Sequence, residues 1–278
     1  MLFDYIRIFK EASGLIDMSL DNQDESATID AAITTSQYIY VAQKLPFTNM
    51  FMWIDTANTT TATMSIEYWN GTEWKDAVDV LDGTLSGGKT LARSGNVQFS
   101  LAKDHGWQPV WDPTDSNAPA ALSTTRIYDC YWIRIAPSAT LTTGATLKEV
   151  TYAFTATQEL KNYDVEIDGY MASFETGKTD WIKEIITASK LLVLDFRRLG
   201  LIVHQGQIIE LTDVSVPCAL KTIMLIYSNL GPSYKDKIDS MKKEYDNAMN
   251  IRRFTVDANA DGKLERSEMT NTIKRLVR

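Results

Sequence analysis

The sequence predicts an α+β chain of two modules: an N-terminal antiparallel β-sandwich, jelly-roll-like, over 1–155, then a C-terminal helical bundle with an extended arm over 156–278. Three observations predict it. Before about Thr155, short runs rich in Thr, Val, Ile, Trp and Tyr alternate in polarity, whereas after it apolar residues recur every three or four positions in three long stretches. At 278 residues the chain is long enough for two cores. Charge divides at the same place. Residues 1–155 hold 10 basic and 18 acidic side chains and 156–278 hold 18 of each, so the first module carries the whole net charge of −8.

That acidic balance disfavours nucleic acid and anionic lipid as partners. A hydrophobic content of 44% with 23% charged residues is that of a folded chain. Cys130 and Cys218 fall in different modules without a CxxC neighbour, so neither a disulfide nor a zinc site is expected, and a reducing cytosol is. Asp4 and Arg7 interrupt the opening stretch, which therefore lacks the continuous apolar core of a secretion signal. No run approaches the roughly 18 to 20 uninterrupted apolar residues of a membrane span.

In the first module, strands are expected at Ala27–Ile33, Gln37–Ala42, Asn49–Asp55, Thr63–Trp69, Trp74–Val80, Val97–Leu101, Tyr128–Ile135 and Thr146–Phe154. Alternation puts Met64, Ile66 and Tyr68 on one face and Ser65, Glu67 and Trp69 on the other. Asn70-Gly71 supplies the pair of positive φ values of a type I′ turn, although its flanks also suit a longer loop. Gly, Pro, Ser and Asp mark long loops from Asp82 to Ser94 and from Asp104 to Ser123. Tryptophans are frequent here, and tryptophan fills cores and subunit contacts as well as stacking on sugar rings. Trp107 and Trp111 stand out because they lie in a loop, where an aromatic pair can meet a glycan or a partner protein.

In the second module an acidic connector leads to a helix over about Thr179–Leu199. Its apolar stripe is Trp181, Ile182, Ile185, Ile186, Ser189, Leu192, Val193 and Phe196, with Thr179 or Asp180 as cap and Gly200 as stop. Leu201–Leu211 reads as a hairpin or extended arm turning at Gln205-Gly206. Its Leu201, Ile202, Val203, Ile208 and Ile209 exceed what a hairpin can cover on itself, so a neighbouring subunit is the expected cover. A second helix is expected from Pro217 to Gly231, since proline suits a first turn, and a third from Pro232 with a stripe at Tyr234, Ile238, Met241, Tyr245 and Ala248/Met249. Beyond it, Asp257 to Glu268 meets every position of a twelve-residue calcium loop: Asp257, Asn259 and Asp261, then Gly262, the Lys263 carbonyl, Glu265 and Glu268. A turn rich in Asx residues with no ion is the other reading. The tail brings Lys274, Arg275 and Arg278 together, a solvated end or a contact for an acidic partner. His105 and His204 have no partners at catalytic spacing, and no nucleophile elbow or phosphate loop is present, so no enzyme is expected.

The series Asp180-Trp181-Ile182, Leu194-Asp195-Phe196-Arg197-Arg198-Leu199-Gly200, Ile208-Ile209, Ala219-Leu220-Lys221-Thr222-Ile223-Met224-Leu225-Ile226-Tyr227, Leu230-Gly231, Tyr234 and Tyr245 resembles the helical head-to-tail adaptors of tailed bacteriophages. Tyr38-Ile39-Tyr40-Val41, Leu45-Pro46-Phe47, Ile66 to Gly71, Trp74 and Tyr131 to Ile135 are similar to β-sandwich domains of phage virion proteins. The resemblance implies a structural protein of the virion neck, assembled in the bacterial cytoplasm. It would form a ring, commonly of twelve copies, that binds the portal protein and receives the tail or stopper protein. The arm and the tail would make the portal and subunit contacts; calcium is a candidate cofactor from the spacing of Asp257 to Glu268 and not from the resemblance. The alternative is a carbohydrate-binding or adhesin-like virion protein working through the β module.

Overall fold

A computed structural model describes residues 6–24, 26–102, 106–251, 254–259 and 261–263. The chain is α+β and divides into two compact units. One comprises Met1–Thr151 with Asn259–Lys263, the other Tyr152–Ala258 with Leu264–Arg278.

The first unit contains two antiparallel sheets. Strands β1 (Arg7–Glu11), β2 (Leu15–Asp17), β4 (Ile39–Gln43), β6 (Met64–Trp69), β7 (Trp74–Asp76) and β10 (Tyr131–Pro137) form one, in the order β2-β1-β4-β10-β6-β7. Strands β3 (Ile29–Asp30), β5 (Asn49–Thr56), β8 (Val78–Asp82), β9 (Gly95–Ser100) and β11 (Thr146–Thr151) form the other, in the order β3-β11-β5-β9-β8. The first two strands were not expected. Arg7 and Lys10 break the apolar run there, yet Phe9 pairs with Tyr40 and Ile8 with Val41, which buries both apolar side chains. The single strand expected at Trp74–Val80 is two. It leaves one sheet for the other at Ala77, helped by a register shift between Val78 and Leu81 and by positive φ at Asp79.

Both faces of the six-stranded sheet are covered. Alternation holds in β6, where Ile66 and Tyr68 are buried on one face and Trp69 on the other. Trp69 joins Phe9, Tyr40, Ala42 and Trp132 in a cluster that Val110, Leu122 and Cys130 close from the long excursion between β9 and β10. The Asn70-Gly71 turn takes the longer form. Trp69 pairs with Trp74, Asn70 N–H donates to the Glu73 carbonyl, and the Asn70 carboxamide oxygen accepts from the N–H groups of Thr72 and Glu73. Only Gly71 has positive φ, so the side-chain acceptor of Asn70 replaces the two-residue type I′ geometry.

The second unit is helical: α1 (Thr157–Leu160), α2 (Met171–Phe174), α3 (Ile182–Arg198), α4 (Leu211–Leu230) and α5 (Lys235–Ile251). The acidic connector is thus partly ordered as α1 and α2, with Leu160 and Ile167 buried. At the start of α3, the Asp180 carboxylate accepts from Ile182 N–H. At its end, Leu201 N–H donates to the Phe196 carbonyl and Gly200 N–H to that of Arg197, the paired bonds of a left-handed helix stop. Helix α4 starts six residues before Pro217. The Glu210 carboxylate accepts from Thr212 N–H and caps it, so the proline sits inside the helix and not at its first turn. By length and composition α4 could cross a membrane, but half of it is buried inside the unit, as in any core helix. In α5 the expected stripe is half-buried, and Tyr245 alone among the described positions of the stripe is fully buried.

Candidate functional site

Helices α3, α4 and α5 meet at one polar cluster. Lys221 pairs with the Asp195 carboxylate, and Tyr245 O–H donates to the same oxygen at 2.6 Å. The Lys221 ammonium also lies 4.8 Å from the centroid of the Tyr245 ring. Burial pushes the Asp195 carboxyl up, but the hydrogen bonds from Lys221 and Tyr245 outweigh it and hold the group below the usual carboxylate range. The Tyr245 phenol is raised, first by burial and then by donating to Asp195. Three of the residues that carry the adaptor resemblance, one from each helix, therefore share one charge network. A second cluster joins α4 to the connector: Tyr227 bonds the Asp164 carboxylate and Lys237 reaches the Tyr227 hydroxyl at 3.0 Å, while the Tyr227 and Tyr234 rings stack.

The expected arm is not extended. Gln205–Gln207 forms one turn of 3-10 helix, capped at its start by the Nδ1 of His204, which accepts from Gly206 N–H at 2.9 Å. Ile208 bridges to Val256, and Asp257 N–H donates to the Gln207 carbonyl. Ile202 and Ile208 are buried, Leu201 and Ile209 are half-buried, and of these five only Val203 is exposed. The spare apolar surface inferred for this segment is therefore cut to Val203 and parts of Leu201 and Ile209, with Ile208 paired to Val256. His204 is packed and neutral: burial, then nearby Arg197, lowers its pKa to about 4. His105 lies outside the described residues.

Trp107 and Trp111 have opposite fates. Trp107 is a core residue, with its ring against Tyr68 and Tyr131 of the six-stranded sheet and Phe99 of the five-stranded one, and so is no surface contact. Trp111 is 69% exposed.

In the calcium-like series, the Asn259 side-chain oxygen accepts from Asp261 N–H at 3.0 Å, and Asp261 Oδ1 accepts from Lys263 N–H at 2.9 Å. Such turns leave Asp261 Oδ2, contacted by the Asn259 amide at 3.3 Å. Gly262 has φ of 80° and is buried; a Cβ there would lie 3.1 Å from Leu101 and 3.2 Å from Pro46. Conformation favours glycine here, and a Cβ would also need the Leu101 and Pro46 side chains to give by a few tenths of an ångström. Asp257 belongs to the second unit and Asn259–Lys263 to the first, while Glu265, Glu268, Lys274, Arg275 and Arg278 lie outside the described residues. Among the described residues no group of three or more His, Cys, Asp or Glu could hold a metal ion. No protein-family model, no curated protein and no solved structure matches the chain.

Proposed function

We propose that this chain is a structural protein of a tailed-phage neck, a head-to-tail adaptor that assembles as a ring on the portal and receives the tail or stopper protein. One observation supports the reading. Asp195, Lys221 and Tyr245, which stand in three separate stretches of the adaptor-like sequence, are brought to a single network that ties α3, α4 and α5. A shared, partly buried contact gives those spaced residues a common reason to occur together. In this reading the first unit is a jelly-roll-like sandwich preceding the helical bundle. The basic residues Lys274, Arg275 and Arg278 provide the portal contact, and calcium at the Asp257–Glu268 series steadies the C-terminal segment. The subunit contact falls to surfaces other than Ile202 and Ile208.

Sedimentation of the purified protein, alone and mixed with portal, tests the proposal. Ring-sized particles of about twelve copies that bind portal are expected, with binding weakened by salt and lost on deleting residues 269–278. A monomer that ignores portal would end the neck reading.

A further inference from the structure

One short segment of the first unit, residues 18–24, closes an edge of each sheet. In the six-stranded sheet β2 pairs with Phe9, Lys10 and Glu11 of β1 and stops short of Ile8. There the Ser19 hydroxyl accepts from Ile8 N–H at 3.1 Å and donates to the Ile8 carbonyl at 3.4 Å, and Met18 N–H reaches the same carbonyl at 2.9 Å. In the five-stranded sheet β3 covers only Thr146 and Leu147 of β11. Further along β11 the Asn22 side chain takes over. Its oxygen accepts from Val150 N–H at 2.6 Å and its nitrogen donates to the Val150 carbonyl at 3.0 Å. Ser19 and Asn22 are both buried, and an ion pair from Lys10 of β1 to Asp30 of β3 at 2.5 Å ties the two sheets beside them.

The N–H and C=O of one strand residue point to the same side of the strand. Val150 lies opposite Met52 of β5, yet both its polar groups go to Asn22, so they face away from β5 toward the edge. A carboxamide carries a donor and an acceptor in one plane, as a strand residue does with its own N–H and C=O. Asn22 thus does for Val150 what one residue of a further strand would do. Unlike a strand, it offers no new row of backbone groups beyond itself. A bare edge at this place would be a template for another chain.

We propose that residues 18–24 are an edge guard, and that the strand Asn22 keeps away from β11 is β11 of a second copy of this chain. Val150 selects both partner and register. Pairing it with the second Val150 across a two-fold axis exchanges N–H and C=O on both sides, the same two bonds that Asn22 now makes, and sets Glu149 opposite Thr151. Such an axis is perpendicular to the sheet and keeps buried side chains on one face, so the two Val150 side chains both stay on the core side. A foreign strand has to find that register, whereas a second copy has it by symmetry. The pairing leaves β3 in place at Thr146 and Leu147 and displaces only Asn22. The guard is independent of the neck reading, since it uses none of the helical residues.

A fluorescein-labelled peptide of residues 146–153, followed by anisotropy, and sedimentation of the unlabelled proteins test it. Asn22→Ala should bind the peptide at least about tenfold more tightly than the parent and sediment at about twice the parent's mass. The same peptide with proline in place of Val150 lacks the N–H and should not bind. Asn22→Asp keeps an acceptor for Val150 N–H and loses the donor to its carbonyl, so it should bind the peptide between parent and Asn22→Ala; it carries the test if circular dichroism shows Asn22→Ala unfolded. Leu20→Ala, at an exposed position of the same segment, should behave as the parent. A folded Asn22 variant that ignores the peptide would overturn the proposal, as would a parent that binds it equally well. Peptide binding without a gain in mass would overturn the choice of a second copy as the excluded partner.

Discussion

Removing the ammonium of Lys178 should cost this protein far more than a surface charge would. Lys178 and Glu184 form an ion pair at 2.9 Å with side chains only 7% and 9% exposed, at the start of α3. The rings of Phe174 and Trp181 stand 5.2 and 5.1 Å from the ammonium and meet each other edge to face. At an effective dielectric constant of about 20, two unit charges at this separation attract by about 6 kcal/mol, which roughly offsets the several kcal/mol needed to desolvate each ion. The pair is thus close to neutral as a whole. In Lys178→Met the aromatic contacts can persist, but Glu184 remains buried without its cation, and the expected loss is about 3–5 kcal/mol. Lys178→Met combined with Glu184→Leu should return to within about 1 kcal/mol of the parent, since neither partner is then left charged. Urea unfolding followed by far-ultraviolet circular dichroism measures both. A single variant within about 1 kcal/mol of the parent, or a double variant as unstable as the single, would refute the argument.

Four further outcomes follow from other places in the chain. Asp195 has a depressed pKa, so its contribution is present above the unfolded value near 3.8 and is lost as pH falls through the folded one; Asp195→Asn should flatten the acid limb of a stability–pH curve below about pH 4. His204 is a base whose folded pKa is lowered to about 4, so below about pH 6.5 the unfolded chain binds the extra proton and stability falls. His204→Asn, which keeps an acceptor for Gly206 N–H, should remove that slope between pH 6.5 and 4. Gly262→Ala places a Cβ 3.1 Å from Leu101 at a positive φ, and hydrogen exchange should report faster exchange at 259–263 than in the parent; equal exchange would contradict the packing argument. Calcium titrated into the parent and into Glu268→Ala by calorimetry should give heat only in the parent, and equal, absent heats would reduce the series to a turn.

Much of the architecture was legible because period encodes orientation. Alternation placed Ile66 and Tyr68 opposite Trp69, and the three-to-four spacing of α3 selected Ile185, Ile186, Ser189, Leu192, Val193 and Phe196, all buried. Punctuation was less dependable. Pro217 looked like a first turn because its missing N–H is harmless there, yet the helix begins at Leu211, where a Glu210 carboxylate does the capping and Val214 already packs. Ala77 carries no turn signal, so the switch between sheets inside Trp74–Val80 was invisible; it accompanies a register shift between Val78 and Leu81 and a positive φ at Asp79.

What period cannot encode is the surface that lies opposite a side chain, and the candidate sites depended on that. Trp107 and Trp111 are four residues apart in one loop of Gly, Gln and Pro, with no local difference between them. One meets Tyr68, Phe99 and Tyr131 and disappears from the surface, while the other, just past the Val110–Cys130 bridge, is 69% exposed. The same holds for Leu201–Leu211. Its apolar residues demanded a cover, and for Ile208 that cover includes Val256, some fifty residues away in the same chain. A run of exposed-looking Ile and Val predicts that something must bury it. Whether that something is another subunit or a later stretch of the same chain is decided by a contact that neither stretch announces alone.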